Sequence, residues 1–200
     1  MRYREDIDGL RALAVIFVVF YHAKIFGFAG GFIGVDIFFV ISGFLITSII
    51  KREIEEGCFT FGQFYERRVR RIMPALIAVW VATFLVAAFA MLPSEFAGFA
   101  TRLAASALFV SNIILYRESG YFDDRRKKKP LLHTWSLSIE EQFYLVWPVL
   151  LLAFWKFGPR ALGAVVAVCL ILSLGYSEWL LSTDKAAAFF LLPSRFWELG

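Results

Sequence analysis

Long apolar blocks separated by short polar segments dominate this chain. A transmembrane helix needs about 20 mostly apolar residues, and six blocks meet that length: residues 10–29, 32–50, 72–92, 96–116, 137–157 and 160–181. A seventh begins at Ala186 and runs into the phrase RFWELG at residues 195–200. The pattern predicts an all-α, polytopic transmembrane helix bundle of six full spans and the start of another, one domain over residues 1–200. Acidic Glu5, Asp6 and Asp8 interrupt the basic start and no small-x-small site follows. The first block is therefore expected to stay as a span and not to be removed as a signal peptide. The last block stops without a polar tail, so the chain reads as a fragment of a longer protein.

Composition agrees with the bilayer as solvent: 60% of residues are hydrophobic, 18% aromatic, and the mean hydropathy is +0.67. The 23 Phe exclude a disordered tail, and two cysteines exclude a disulfide scaffold. A net charge of +4, scattered along the chain, excludes a nucleic-acid binder. Lys and Arg bias places the amino terminus, the 51–71 loop, the 117–130 loop with its Arg125–Lys129 run, and the 182–185 turn together on the cytoplasmic side. Lys24, Lys156 and Arg160 are left opposite. Cys58 and Cys169 lack metal or redox spacing and read as structural. No internal repeat is visible, and no Walker A loop, GxSxG elbow, HExxH or CxxC pattern occurs.

An ionisable group at the centre of a bilayer costs about 2.5–3.5 kcal/mol, so polar residues inside the blocks are the most informative. Arg11 and His22, eleven positions apart, fall within about 20° of one helix face and about 16 Å apart along its axis. Asp8 can pair with Arg11 at i, i+3. Two readings stand: Arg11 snorkels while His22 makes an interhelical hydrogen bond, or His22 is a general base lining a polar cavity. In the second block Gly30, Gly31, Gly34 and Gly43 allow close helix approach, and Asp36 is either an ion-pair partner for Lys24 or Arg11 or a functional carboxylate.

Four arginines, Arg67, Arg68, Arg70 and Arg71, precede the third block, with Pro74 in its first turn. They serve as an orientation signal and lipid anchor, or as a dock for phosphates, which the arginine fork suits. The segment from Pro130 to Pro148 contains His133, Trp135, Ser138, Glu140, Glu141, Gln142 and Tyr144. Ser138 and Glu141 fit a capping box and Trp135 an interfacial anchor. Glu140 is left without such a use and needs a cationic partner. Arg195 and Glu198 can pair with each other or join the same polar centre.

Together, five segments resemble the membrane acyltransferase family called acyltransferase 3. They are DGLRALAVIFVVFYH (residues 8–22), GGFIGVDIFFVISGFLIT (30–47), FYERRVRRIMPA (64–75), PLLHTWSLSIEEQFYLVWP (130–148) and RFWELG (195–200), in the family's order. The family includes enzymes that O-acetylate O-antigen, peptidoglycan and other exported glycans. The resemblance implies a domain of about ten spans, sometimes followed by an SGNH-type esterase-like domain. It implies that Arg11 and His22 match a paired arginine and catalytic histidine. Arg68 and Arg71 match an R-x-x-R motif associated with acyl-coenzyme A, although Arg67 and Arg70 form a second such pair. Glu140 and Glu141 match paired carboxylates, the first carrying more functional weight.

The resemblance therefore implies an O-acyltransferase of the bacterial inner membrane, with no metal and no bound cofactor. It would move an acyl group, acetyl by preference, from cytoplasmic acyl-coenzyme A to a hydroxyl of a glycan or lipid-linked saccharide. His22, Arg11 and Glu140 would be catalytic, Arg68 and Arg71 would bind the donor, and Asp36, Glu141, Tyr144, Arg195 and Glu198 would stand in the second rank. The rival class is a proton-coupled transporter or flippase with His22, Asp36 and Glu140 as a relay. With 96–116 as a full crossing, Glu140 starts near the cytoplasmic face while His22 lies in the outer half; a re-entrant 96–116 changes that geometry.

Overall fold

In a computed structural model, which describes residues 5–119 and 130–200, the described residues form nine helices and no strand. They are α1 (Glu5–His22), α2 (Ile33–Glu55), α3 (Phe61–Ala90), α4 (Pro93–Ala107), α5 (Ser111–Glu118), α6 (Thr134–Trp155), α7 (Pro159–Thr183), α8 (Lys185–Phe190) and α9 (Leu192–Leu199). Four of them, α2, α3, α6 and α7, are long and apolar enough to cross a bilayer. Exposed Val40 and Phe44 of α2, Leu85 and Phe89 of α3, Leu145 of α6 and Ile171 of α7 give them the apolar outer faces that lipid requires.

Several expected boundaries shift. The 10–29 block is not one span, because α1 ends at His22 and residues 23–32 turn back toward α2. The 51–71 loop shrinks to residues 56–60, since α2 continues to Glu55 and α3 already begins at Phe61. The arginine cluster is thus helical, and Pro74 lies inside α3 instead of in a first turn. The 96–116 block divides into α4 and α5, and the block from Ala186 divides into α8 and α9. The 137–157 block begins earlier, at Thr134, so Ser138 is in the second turn of α6 and cannot cap it with Glu141. Trp135 is buried among Phe39, Phe189 and Phe190 and packs as a core residue instead of anchoring at the surface.

Contacts fix the relative directions of the long helices. Gly34 lies against the Ala14 carbonyl, Gly31 against that of Phe17 and Gly43 against that of Leu199, so closely that a Cβ would collide at each; Gly30 faces open space. α1 and α2 are therefore antiparallel, with His22 beside the start of α2. α2 and α6 run parallel: Phe39 meets Trp135, Trp147 Nε1 donates to Thr47 Oγ1 at 2.7 Å, and Lys51, Glu55 and Trp155 line one cavity. α3 opposes α6, the Tyr65 hydroxyl donating to the Leu145 carbonyl at 3.3 Å and Arg68 pairing with Glu141.

α3 therefore ends, and α6 begins, at the His22 end of the bundle, so the chain from α3 to α6 makes no net crossing. This rearranges the expected sidedness. Lys156 and Arg160 lie at the same end as Lys51 and the α3 arginines, while Arg117, Lys185 and the start of α6 lie with Lys24 at the His22 end. The Arg125–Lys129 run lies outside the described residues.

Irregular backbone at membrane depth is tolerated only where protein satisfies it. α4 folds back along α3, with Phe99 buried beside Ala87 and Trp80 Nε1 donating to Ser106 Oγ at 2.9 Å. The chain then breaks at residues 108–110, where Phe109 has φ +53°, and returns as α5. Gln142 Nε2 donates to the Phe109 carbonyl at 2.8 Å and to Asn112 Oδ1 at 2.9 Å. Asn112 Nδ2 in turn donates to the Phe190 carbonyl at 3.0 Å, beside the second break at Leu191. Ser138 Oγ accepts from the Ser111 N–H at 3.2 Å. Two side-chain amides thus hold both broken helices against α6.

Candidate active site

His22 closes α1 and is exposed. Its Nδ1 lies 2.8 Å from the Val18 carbonyl oxygen. A carbonyl can only accept, so this contact is a hydrogen bond donated by Nδ1, and in the neutral ring it leaves Nε2 as the lone-pair nitrogen that a general base needs. The carbonyl of its own helix, and not Glu140, holds the ring. Below it, a cavity of about 190 Å³ opens between α1 and α2, lined by Ala14, Val15, Val18, Gly34, Val35 and Phe38 among others, with Ser136 of α6 at one side. These residues fall between Arg11 and His22 along α1, so an apolar cleft follows the face that the two share.

At the lower end of that face, four helices bring a charged cluster together. Arg11 pairs with Asp8 at 3.4 Å, as their spacing predicts. Glu140 of α6 is buried, lies in the field of Arg68 and Arg11, and has Ser42 of α2 within hydrogen-bonding reach. One of its oxygens, Oε1, has no hydrogen-bond partner. Arg68 donates from Nη2 to Glu141 Oε1 at 2.9 Å and sets its guanidinium carbon 3.5 Å from the centre of the Tyr144 ring. Glu140, Glu141 and Tyr144 fall on one side of α6 because i, i+1 and i+4 span about 100° of its surface.

A second cluster joins α2 to α9. Arg195 donates from Nη1 to Asp36 Oδ1 at 2.6 Å and to Glu198 Oε1 at 2.7 Å, beneath the rings of Trp135 and Phe189. Asp36 therefore pairs with Arg195, and with neither Lys24 nor Arg11. Arg195 also gives its Nε–H to the Phe189 carbonyl at 3.2 Å, fastening the break between α8 and α9.

The remaining arginines of α3 face outward. Arg67 is bound to Glu53 at 2.7 Å and Arg70 to Glu66 at 2.7 Å. Arg71 is exposed and pairs with no described residue. His133, the residue before α6, lies within the electrostatic reach of His22, a relation that sequence does not show because 111 positions separate the two. Loss of water around part of the His133 ring, and then the charge of nearby His22, hold it below the ordinary imidazole value of 6.5.

The family model described as an acyltransferase domain matches residues 4–196. The chain belongs to this acyltransferase family. Over 99% of its length it is 39% identical to the peptidoglycan O-acetyltransferase OatA of Listeria monocytogenes, of which the match covers 33%. An uncharacterized protein of Haemophilus influenzae is 42% identical over 68% of the chain and 56% of its own length. The Bacillus subtilis protein YrhL is 40% identical over 86% of the chain and 28% of its own length. The chain thus spans about a third of the length of OatA. No solved structure matches it. Family membership and four apolar spanning helices make this an integral membrane acyltransferase domain.

Proposed function

We propose that the protein is an O-acyltransferase that moves an acyl group, acetyl by preference, from acyl-coenzyme A to a hydroxyl of a cell-envelope glycan or lipid-linked saccharide. The observation that carries this reading is the placement of His22: its Nδ1 is held 2.8 Å from the Val18 carbonyl, which leaves Nε2 for the substrate, one helical turn beyond the Val18 side chain that lines the apolar cleft. His22 Nε2 removes the proton of the acceptor hydroxyl as its oxygen attacks the thioester carbonyl carbon. The new C–O bond forms, the C–S bond breaks, and the proton passes to the departing coenzyme A sulfur.

The arginine-rich start of α3, from which the family resemblance singles out Arg68 and Arg71, receives the donor's phosphates on the cytoplasmic side of an inner membrane. Support for that orientation comes from Lys51, Arg52, Arg67, Arg68, Arg70, Arg71, Lys156 and Arg160 gathered, among the described residues, at the end where α1 begins, against Lys24, Arg117 and Lys185 at the His22 end. The apolar cleft suits the arm that links the phosphates of coenzyme A to its thioester. Arg11 stabilises negative charge at the donor end, and Glu140 keeps the charge of Arg11 and Arg68 balanced. Asp36, Arg195 and Glu198 hold α9 against α2 and so shape the neighbouring wall.

A proton relay through His22, Asp36 and Glu140, which a transporter would use, has less support, because the three share no hydrogen bond and Asp36 is committed to Arg195. The test is His22→Ala in the intact protein. It lowers transfer at least about 10²–10⁴-fold, the usual worth of a general base, with membrane insertion unchanged. Activity retained in that variant overturns the assignment.

A further inference from the structure

Four arginines within five residues look interchangeable in sequence, and two overlapping R-x-x-R pairs can be drawn through them. Their surroundings are not interchangeable. Successive residues on α3 point about 100° apart, so the helix separates the four by direction. Arg67 and Arg70 are exposed but already neutralised by Glu53 and Glu66. Arg71 is exposed and pairs with no described residue. Arg68 turns inward, where 16% of its side chain remains exposed, and its fork is held at 2.9 Å by Glu141 and at 3.5 Å over Tyr144.

From this separation we propose that the two arginines of the motif divide their labour. Arg71 is the donor-binding residue, the one α3 arginine in the motif that is exposed and paired with no described residue, and Arg68 is a positioning residue that holds Glu141 by an ion pair and keeps the neighbouring Glu140 in its field.

The chemistry favours that division. A guanidinium that is paired with Glu141, and in whose field the buried Glu140 also lies, cannot also turn to a phosphate without leaving both carboxylates less compensated in a low-dielectric interior. Cation–π contact with Tyr144 adds to the cost of turning it out. Arg71 has no such commitment, and its planar fork is suited to two phosphate oxygens. The proposal rests on the donor reading above, and it changes which residue of the motif touches the donor.

The experiment measures coenzyme A release from acetyl-coenzyme A by the intact protein in inverted membrane vesicles, for Arg71→Gln, Arg68→Gln, Glu141→Gln and the double variant Arg68→Gln/Glu141→Gln. Arg71→Gln raises the KM for acetyl-coenzyme A about tenfold, the loss of one charged phosphate contact, and leaves kcat within about twofold. Arg68→Gln lowers kcat at least tenfold with KM little changed, and Glu141→Gln in the same chain restores part of kcat by removing the uncompensated charge. A merely structural role for Arg68 would not give that rescue. The proposal is overturned if Arg68→Gln raises KM at constant kcat, or if Glu141→Gln adds a further loss.

Should wild-type protein release no coenzyme A from any donor, the donor reading fails, and the Arg68 assignment is judged on unfolding in detergent. Strong coupling between Arg68→Gln and Glu141→Gln supports it, and additive effects overturn it.

Discussion

The buried and half-buried charged side chains of this bundle are tolerated by a few local arrangements. Arg68 and Arg195 each sit between a carboxylate and an aromatic face, Glu140 lies in the field of two arginines, and Arg11 reaches back to Asp8. The pairs Asp8–Arg11 and Arg195–Glu198 were legible in sequence because i, i+3 spacing is local. Asp36–Arg195 and Arg68–Glu141, 159 and 73 positions apart, were not, since only the fold brings them together. His133 belongs to the same class, brought into the field of His22 only by the fold. Its proton affinity makes a prediction. The unfolded chain binds a proton near the ordinary value of 6.5 and the folded chain only at lower pH. The unfolded state therefore takes up more protons as pH falls below about 6.5, and stability falls with it, the contribution being absent above that pH. Unfolding midpoints in detergent measured between about pH 7 and pH 5 should decline with a slope that His133→Gln reduces.

The broken helices carry the fold's most specific polar chemistry. Hydropathy read 96–116 as one span because Ser106, Ser111 and Asn112 are too few to outweigh their apolar neighbours. The side chains are there to satisfy backbone that a straight helix would satisfy itself. The same holds for 186–200, where Pro193 and Ser194 follow the break at Leu191. By contrast α2, α6 and α7, each with its polar residues at compatible positions, were found from length and composition alone. Asn112 is fully buried and bonds to both Gln142 and the Phe190 carbonyl. Asn112→Leu leaves those partners unsatisfied and should destabilise the bundle by about 1–3 kcal/mol, read as an earlier unfolding transition in detergent. An unchanged transition would mean that the amide clip does not hold the breaks.

At the scale of the molecule, the direction of α6 decides which groups share a side. Block counting gave 96–116 a full crossing and so placed Lys156 opposite the α3 arginines; the re-entrant α4–α5 pair places them together. A membrane-impermeant thiol reagent tests this directly. In a Cys58→Ser background, Lys156→Cys should label from the side on which native Cys58 labels, and Lys24→Cys from the other. With that topology, His22 and the arginine cluster stand at opposite ends of the α1 cleft, and donor and acceptor approach from opposite faces. The measurement that bears most directly on the account gives acyl-labelled acetyl-coenzyme A to inverted vesicles carrying the intact protein, beside right-side-out vesicles and the His22→Ala variant. The account predicts coenzyme A release and label transfer to glycan or protein only in inverted vesicles with His22 present. Equal release by His22→Ala, or none by the wild type across several acyl donors with acceptor present, would contradict it.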